Sequence, residues 1–462
     1  MRAAGPAPWP LSLPPLGPER PYVLPPVLSN VLPNGLHVQA VRCGELPLVS
    51  LRLVVRGGRA DDGAGEPGLA EVLAEALEEG TASRSSGALF DLLQGAGGDL
   101  SAEAGGDATL VAGEGLASST GLLIDLLADV AQHAAFPRRG VARVKALCLE
   151  DLLADEAEPS FLAWRALARE LYGTHPYGTV APTREGLRAV SPEVLRREAA
   201  RRLRPERSLL VVAGAVEPEQ VTRRVAAAFG GWSGTGKAPP EVAVAAPRAV
   251  DRPVVLLDRP GSAQATLLVG GLGVTRRDPS FWPLAVGATL LGGAFSSRLV
   301  QKLRVVKGWA YAVGASSSWA PGRGTVRAWA SVRSEVAEAA LAELTAEMAR
   351  MGAEAPSEAE TDLARRRNAG LHVLGLETPA GVARELAEAW LGGLGPSSLV
   401  EAIPALGRVT PSSVRRAGAR YLDPSRMVRV VVGDARRLGK ALSSSGTAVR
   451  PGGGGGRSRK RV

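Results

Sequence analysis

Apolar side chains follow two different spacings along this chain, one typical of strands and one typical of helices. Residues 36–40 alternate apolar and polar side chains directly after Pro33-Asn34-Gly35, and the Asn-Gly step favours a hairpin because it accepts positive φ. Residues 48–55 have the composition of a buried strand, and residues 65–79 have the start signals and spacing of a helix that Gly80 ends. The pattern predicts a sheet that carries helices.

The second half of the chain repeats the first. Three segments recur 219 positions later (409 − 190 and 428 − 209 both give 219): 190–192 as 409–411, 205–207 as 424–426, and 209–214 as 428–433. Each copy has an Arg- and Ala-rich helix, a Pro-Xaa-Arg turn and a continuous apolar strand, whose composition indicates burial on both faces. One offset shared by three segments predicts two copies of one domain, each about 200 residues long.

Composition divides the chain into five parts. Gly, Pro and Lys cluster in residues 230–250, as is typical of a linker, while proline is frequent near the start and glycine and basic residues dominate the end. We predict a Pro-rich disordered extension (1–26), an N-terminal domain (27–238), a linker (239–250), a C-terminal domain (251–440) and a Gly-rich basic disordered tail (441–462).

The formal charge of +9 does not predict a nucleic-acid partner. Arg457, Arg459, Lys460 and Arg461 supply four of the positive charges in the basic tail, and no aromatic side chains are interleaved with the other basic residues to stack on bases. No apolar run approaches the roughly 20 residues of a membrane helix, so we expect no membrane insertion. Prolines interrupt the apolar stretch that a secretory signal needs, which favours a cytoplasmic protein, with export as the alternative.

The order of the first elements, with the segments VVRGGRADD and GLAEVLAEALEEGT, resembles the opening of the pitrilysin/insulinase family of zinc peptidases, bacterial two-domain type. The family's helix carries H-x-x-E-H, in which two imidazoles one turn apart hold zinc and the glutamate activates the bound water. The equivalent positions here are Glu71, Ala74 and Glu75, and the third ligand of the family corresponds to about Asp151. The resemblance implies an α+β fold of two homologous domains, each a mixed, mainly antiparallel sheet packed with helices.

These substitutions remove the imidazoles and the water-activating carboxylate of the family site. We therefore expect this chain to bind no metal and to be inactive as a peptidase by itself. Two other interpretations of its carboxylates stay open. Glu71, Glu75 and Asp151 could hold Mg²⁺ or Ca²⁺ through oxygen atoms, or the glutamates at 71, 75, 78 and 79 could form a solvated acidic face.

Three further side chains that could carry chemistry are expected to be structural. His175 lies in a turn that matches the HPYG sequence of the family, where a lone imidazole is more often a turn residue than a metal ligand. Cys43 and Cys148 are far apart in apolar surroundings and form no C-x-x-C pair, which predicts two buried thiols.

The second domain, in contrast, retains a family site. The segment LGGAFSSRLVQKLRVVKGWAYAVGAS resembles the region in which active members carry an Arg–Tyr pair, and it places Arg304 seven residues before Tyr311. The expected layout is a helix ending in Arg304, a turn at Lys307-Gly308 and a strand through Tyr311. In the family, the guanidinium and the phenol donate hydrogen bonds to the substrate backbone and to the oxyanion that forms when water attacks it.

The resemblance therefore implies a subunit that has lost one half of a catalytic apparatus and kept the other. We expect a non-catalytic subunit of a heterodimeric zinc metallopeptidase, which binds a peptide or unfolded polypeptide and supplies Arg304 and Tyr311 to a zinc-bearing homologous subunit. The zinc is expected in that partner. Two alternatives are a structural or assembly protein, as some family members in respiratory complexes have become, and an autonomous peptidase with an atypical metal site.

Overall fold

The computed structural model describes residues 22–63, 67–246, 254–444 and 449–451. In the first half, the strands are β1 (Val27–Val31), β2 (His37–Arg42), β3 (Leu48–Arg56), β4 (Asp99–Ala104), β5 (Ala108–Leu116) and β6 (Ser208–Gly214). The helices are α1 (Leu69–Glu75), α2 (Ser86–Gly95), α3 (Thr120–His133), α4 (Arg138–Ala157), α5 (Pro159–Tyr172), α6 (Arg184–Ala189), α7 (Pro192–Arg202) and α8 (Pro218–Phe229).

The second half contains an equivalent set of elements. Its strands are β7 (Val254–Asp258), β8 (Gln264–Leu272), β9 (Ala310–Ser317), β10 (Thr325–Arg333), β11 (Val428–Gly433) and β12 (Val449–Pro451). Its helices are α9 (Phe281–Ala288), α10 (Ala337–Ala353), α11 (Glu358–Gly375), α12 (Pro379–Leu391), α13 (Ser398–Gly407), α14 (Pro411–Tyr421) and α15 (Ala435–Ser444), with π-helical turns at Thr289–Gly293 and Val300–Val306.

The two halves form two six-stranded sheets whose strand orders match in five strands and differ in the outer strand next to β2 or β7. The first is β1-β2-β6-β3-β5-β4 and the second is β12-β7-β11-β8-β10-β9. Neighbouring strands run antiparallel, except for the pair β2/β6 in the first sheet and the pairs β7/β11 and β7/β12 in the second. This confirms the predicted α+β class, in which both domains contain a mixed, mainly antiparallel sheet packed with helices.

The sequence repeat corresponds to repeated local structure. Ser191 and Thr410 cap the N-termini of α7 and α14, where each side chain accepts a hydrogen bond from the backbone amide three residues on and a proline follows at the first helical position. In each domain, a basic side chain of a long helix donates a hydrogen bond to the backbone carbonyl of the residue just before the cap. The helix is α4 in the first domain and α11 in the second. Lys145 Nζ lies 2.7 Å from the Val190 oxygen, and Arg365 Nη1 lies 2.9 Å from the Val409 oxygen.

Each domain contributes one helix to the core of the other. Helix α5 packs against β8 and β11 of the second sheet, and helix α12 packs against β3 and β6 of the first. All seven residues of β6 are buried, so the prediction of a strand covered on both faces is confirmed. The apolar sides of α5 and α12 thus bury surface between the halves, in two shared clusters that lie beside the separate core of each domain.

The ends of the described ranges differ from the predicted boundaries. Tyr22 and Leu24 pack against the core between α12 and the first sheet, so the ordered chain begins before residue 27. At the other end, α15 continues to Ser444 and β12 pairs in parallel with β7, because this pairing satisfies backbone groups at the edge of the sheet. The rest of the predicted extension and tail lies outside the described residues. Within the described ranges, no helix is both long and apolar enough to cross a bilayer.

Candidate functional site

Helix α1 holds the positions that correspond to the zinc motif. Its N-cap is Gly68, whose φ of 115° and close approach to Pro182 leave no room for a side chain. Asp62 accepts hydrogen bonds from the amides of Gly68 and Ala70, and its other oxygen lies 2.9 Å from Nη1 of the buried Arg202. A 3₁₀ turn (Ala76–Glu79) extends α1 as far as the predicted helix end. Asp62, in the loop before α1, and Arg202, on α7, therefore fix the position of the start of α1.

The side chains at 71, 74 and 75 face the protein. Ala74 is completely buried. The Glu71 side chain is 14% exposed, with Arg59 Nη1 3.3 Å from its Oε1 and no hydrogen-bond partner at its buried Oε2. Burial raises the pKa of the Glu71 carboxyl, although the charge of Arg59 acts to lower it. A buried carboxylate with one unpaired oxygen is a costly arrangement, and it stands where the family places an imidazole.

Glu75 contacts a neighbour that the sequence did not indicate. The thiol of Cys148 on α4 donates to Glu75 Oε2 across 3.5 Å. Burial raises the pKa of Glu75, and the negative charge of Asp151 adds to the effect. Burial and the charge of Glu75 likewise raise the pKa of the Cys148 thiol. Cys148 is buried as predicted, whereas Cys43 is only partly buried. Cys148 lies one helical turn before Asp151, so the two residues share a side of α4, but this spacing does not predict a contact with α1.

The donor set on these helices does not fit zinc. Neither 71 nor 75 supplies an imidazole, position 74 has no carboxylate, and Asp151 is exposed at the surface of α4. In the part of the chain that the structure describes, no group of three or more His, Cys, Asp or Glu side chains could hold a metal ion. The geometry therefore gives no support to a Mg²⁺ or Ca²⁺ site formed by Glu71, Glu75 and Asp151.

The interpretation of a solvated acidic face is wrong. Glu79 is 6% exposed and pairs with Arg143 of α4. Glu78 is half-buried and accepts a hydrogen bond of 2.7 Å from the Ala102 amide. These carboxylates point into the protein because α4 and β4 pack directly against the 3₁₀ turn. Helical spacing predicts which residues share a face, but it does not show what covers that face.

The structure bears out the interpretation of His175 as a turn residue. Its Nδ1 accepts from the Tyr177 amide at 3.2 Å, and its Nε2 lies 2.9 Å from the carbonyl oxygen of Ala243. Nδ1 therefore caps the turn itself, and Nε2 joins the turn to the segment between the domains. An imidazole held in this way is unavailable as a metal ligand.

The raised pKa of Glu75 predicts a pH-dependent stability. Because this carboxyl binds its proton more tightly in the folded chain than in the unfolded chain, its contribution to the free energy of unfolding is greatest below the unfolded pKa of about 4.3. That contribution is lost as pH rises through the raised folded-state pKa. We expect Glu75→Gln, which keeps an acceptor for Cys148, to make stability fall less steeply over this range.

Urea unfolding at a series of pH values measures this effect. Glu150→Gln is the matched control, since Glu150 is a solvent-exposed carboxylate on the neighbouring helix α4. Identical pH profiles for native chain and Glu75→Gln would show that burial of Glu75 has no energetic consequence.

The second domain exposes the Arg–Tyr pair. Arg304 lies within the π-helical turn Val300–Val306 rather than at its end, because the chain continues to coil until the turn at Lys307-Gly308, where Gly308 has a φ of 60°. Tyr311 is the second residue of β9 and its side chain is 82% exposed. Arg304 is also exposed, with its Cζ 5.9 Å from the centre of the Phe295 ring.

Neighbouring contacts fix the backbone beneath Arg304 and leave its guanidinium free. Lys302 Nζ lies 3.0 Å from Glu347 Oε1, and Lys307 Nζ lies 2.7 Å from Glu343 Oε1, so both ends of the turn are tied to α10. Gly292 allows the preceding turn to pack on β9, because a Cβ there would be 2.3 Å from the Ala315 amide nitrogen. Within the described ranges, Arg304 has no acidic partner.

The two sets of predicted site residues are separate within this chain. Glu71, Glu75 and Asp151 all act electrostatically on Cys148 and so form one cluster in the first domain. Arg304 and Tyr311 lie at the edge strand of the second sheet. No hydrogen bond or ion pair joins the pair to the cluster among the residues that the structure describes. The Arg–Tyr pair is therefore available to a ligand or to another chain.

Comparison with known proteins gives matches along most of the chain. A family model described as "Insulinase (Peptidase family M16)" matches residues 45–181, and one described as "Peptidase M16 inactive domain" matches residues 189–368. An uncharacterized zinc protease of Mycobacterium leprae is 27% identical over 376 residues, which is 81% of this chain and 82% of the relative. A Helicobacter pylori protein named as a non-peptidase homolog is 25% identical over 270 residues, or 58% of this chain and 62% of that protein.

Solved structures share the architecture. The crystal structure of a peptidase M16 inactive domain from Pseudomonas fluorescens superposes with a TM-score of 0.82 at 24% sequence identity, and the match covers 92% of this chain and 99% of that one. At this identity the likeness concerns the fold. It supports the arrangement of two domains with one mixed sheet each.

Proposed function

Since the chain belongs to the insulinase family of peptidases (peptidase family M16), we propose that it is the non-catalytic subunit of a heterodimeric zinc metallopeptidase. One observation carries the proposal: Arg304 and Tyr311 are exposed on the second domain, and Arg304 has no acidic partner in the described ranges, while the helix that holds zinc elsewhere in the family has no zinc ligand set here. A zinc-bearing homologous subunit would supply the metal and the water-activating carboxylate.

Arg304 and Tyr311 act on the substrate in this proposal. The guanidinium presents several N–H donors in a fixed plane, and the phenol adds one O–H donor. Hydrogen bonds from these groups strengthen as negative charge develops on the carbonyl oxygen of the attacked peptide, so they stabilise the transition state more than the bound substrate. The Lys302 and Lys307 ion pairs hold the segment in place, which limits the reorganisation needed on binding.

Strand β9 provides a place for the peptide backbone. It is the last strand of its sheet and pairs with β10 on one side only. An extended peptide could add to such an edge through main-chain hydrogen bonds, and Tyr311 on the same strand would lie beside it. We expect a substrate held in this way to be a short peptide or an unfolded segment, because its backbone must be extended and its N–H and C=O groups not already paired.

The relatives support a division of labour without assigning it to this chain. One relative bears the name of a zinc protease and another that of a non-peptidase homolog, so both kinds of protein occur among the sequences that resemble this one. The absence of an imidazole at 71 and 75 supports the proposal that this chain is of the second kind. Among the residues that the structure describes, no group of side chains favours an autonomous peptidase with an atypical metal site.

The test is peptide cleavage by each chain alone and by their mixture. We expect an unstructured reporter peptide to be cut only when this chain is mixed with a relative that carries intact H-x-x-E-H, and we expect the two to elute together in gel filtration. Stable association without any gain in cleavage would favour the assembly role. Cleavage by the purified chain alone, abolished by a chelator, would refute the proposed subunit role.

A further inference from the structure

An open cavity, lined mainly by polar and charged residues, lies directly after the 3₁₀ turn that follows α1. Its volume is about 560 Å³, and its walls come from the loop between this turn and α2 and from the first turns of α4. Three arginines line it: Arg84 from the loop, and Arg139 and Arg143 from α4. The hydroxyls of Ser85 and Ser86 complete one wall. All of its lining residues belong to the first domain, so the cavity is distinct from the Arg304–Tyr311 site.

The residues that line the cavity include three basic side chains and one acidic side chain. The carboxylate of Glu79 pairs with Arg143 and is turned against the backbone, since a Cβ on Gly140 would lie 2.5 Å from its Oε2. Glu79 is also buried, and its ion pair with Arg143 compensates its charge. It is the sole acidic residue among those that line the cavity.

Arg84 and Arg139 line the cavity, and neither of them pairs with its one acidic lining residue, Glu79. Arg84 pairs with Asp129, which lies behind the wall and also accepts from the hydroxyls of Thr81 and Ser83. A guanidinium has five N–H donors, so this contact leaves several of the Arg84 donors free. Arg139 is exposed and has no acidic partner in the described part of the chain. Its guanidinium is therefore the principal uncompensated charge at the site.

We propose that this cavity binds a phosphate-type oxyanion, such as the phosphate group of a small phosphorylated molecule. Arginine guanidinium groups match the planar, bidentate geometry of phosphate oxygens, and serine hydroxyls are common additional donors. The volume is larger than a phosphate group alone requires, which leaves room for the organic part of such a ligand. The inference does not depend on the proposed peptidase role, because it uses no residue of that site.

The experiment titrates the full chain by calorimetry with inorganic phosphate and, in a second arm, with glycerol 3-phosphate. Arg139→Gln is the test variant, because Arg139 makes no internal ion pair whose loss could unfold the protein. Arg415→Gln is the matched control, an exposed arginine on α14 without an acidic partner among the described residues. Thermal unfolding without ligand checks that both variants fold.

We expect one phosphate site per chain, and we expect Arg139→Gln to weaken its affinity by about tenfold or more while Arg415→Gln leaves it unchanged. Tighter binding of glycerol 3-phosphate would assign the site to phosphorylated molecules, and tighter binding of inorganic phosphate would assign it to the free ion. The proposal is overturned if neither probe binds, or if both variants weaken binding equally, since the interaction would then reflect only the basic surface.

Discussion

Replacing Leu167 by alanine is expected to lower the free energy of unfolding by about 2–5 kcal/mol. The largest loss of protection against amide hydrogen exchange is expected in the second domain. Leu167 lies in α5, within the first half of the sequence, yet it is fully buried against the second sheet. A Cβ on Gly270 of β8 would be only 2.8 Å from its Cδ2, so the leucine fills the space above that strand. Its removal leaves a cavity between the two domains.

Chemical denaturation gives the change in free energy, and amide hydrogen exchange shows where it acts. We expect faster exchange in β8 and β11, and a single cooperative unfolding transition, because helices α5 and α12 tie the two cores together. Leu153→Ala on α4 is the matched control: Leu153 is 44% exposed, and its loss should cost little. Two separate transitions, with the second domain unaffected by Leu167→Ala, would contradict the shared core.

Arg304→Ala is expected to lower the peptide-cleavage rate of the assembled pair by about 10²–10³-fold, the range for removal of one donor to a developing oxyanion. The loss should appear mainly in kcat, because the interaction strengthens in the transition state. The stability of this chain should stay unchanged, since the guanidinium is exposed and has no acidic partner within the described ranges. Tyr311→Phe, which keeps the ring and removes one donor, should act in the same direction.

Two controls separate catalysis from assembly. Gel filtration and thermal unfolding of the variant pair must match those of the native pair, and Arg415→Ala, an exposed arginine outside the site, must retain full activity. If Arg304→Ala leaves kcat unchanged in an active pair, the guanidinium has no part in the reaction. In that case the exposed position of Arg304 would be an ordinary surface feature.

The sequence predicted the fold well where the signal was local or repeated. Ser191-Pro192 and Thr410-Pro411 mark the caps of equivalent helices, and the apolar run 209–214 became the central strand β6, buried on both faces. The exchange of α5 and α12 between the domains was not predicted. An amphipathic pattern shows that one side of a helix must be covered, but any apolar sheet of suitable shape could cover it.

The sequence indicated which helix carries the candidate site residues of the first domain, but it indicated only part of what surrounds their side chains. Helical spacing placed Glu71 and Glu75 on one side of α1, which the structure confirms. The burial of Glu79 and the contact between Cys148 and Glu75 depend on how α4 packs against α1, and residue spacing within either helix does not determine that packing. For the same reason, the arginine-lined cavity had no signal in the sequence.

In the proposed heterodimer, the hydrolytic zinc belongs to the partner subunit and not to this chain. Two samples are saturated with zinc: this chain alone, and its pair with a relative that carries H-x-x-E-H. Excess metal is removed by gel filtration, and the zinc bound per chain or per pair is then measured. We predict no stoichiometric zinc in the isolated chain and one zinc per pair, held by the partner. One tightly bound zinc in the isolated chain, lost with Glu75→Ala and accompanied by peptide cleavage, would contradict the account.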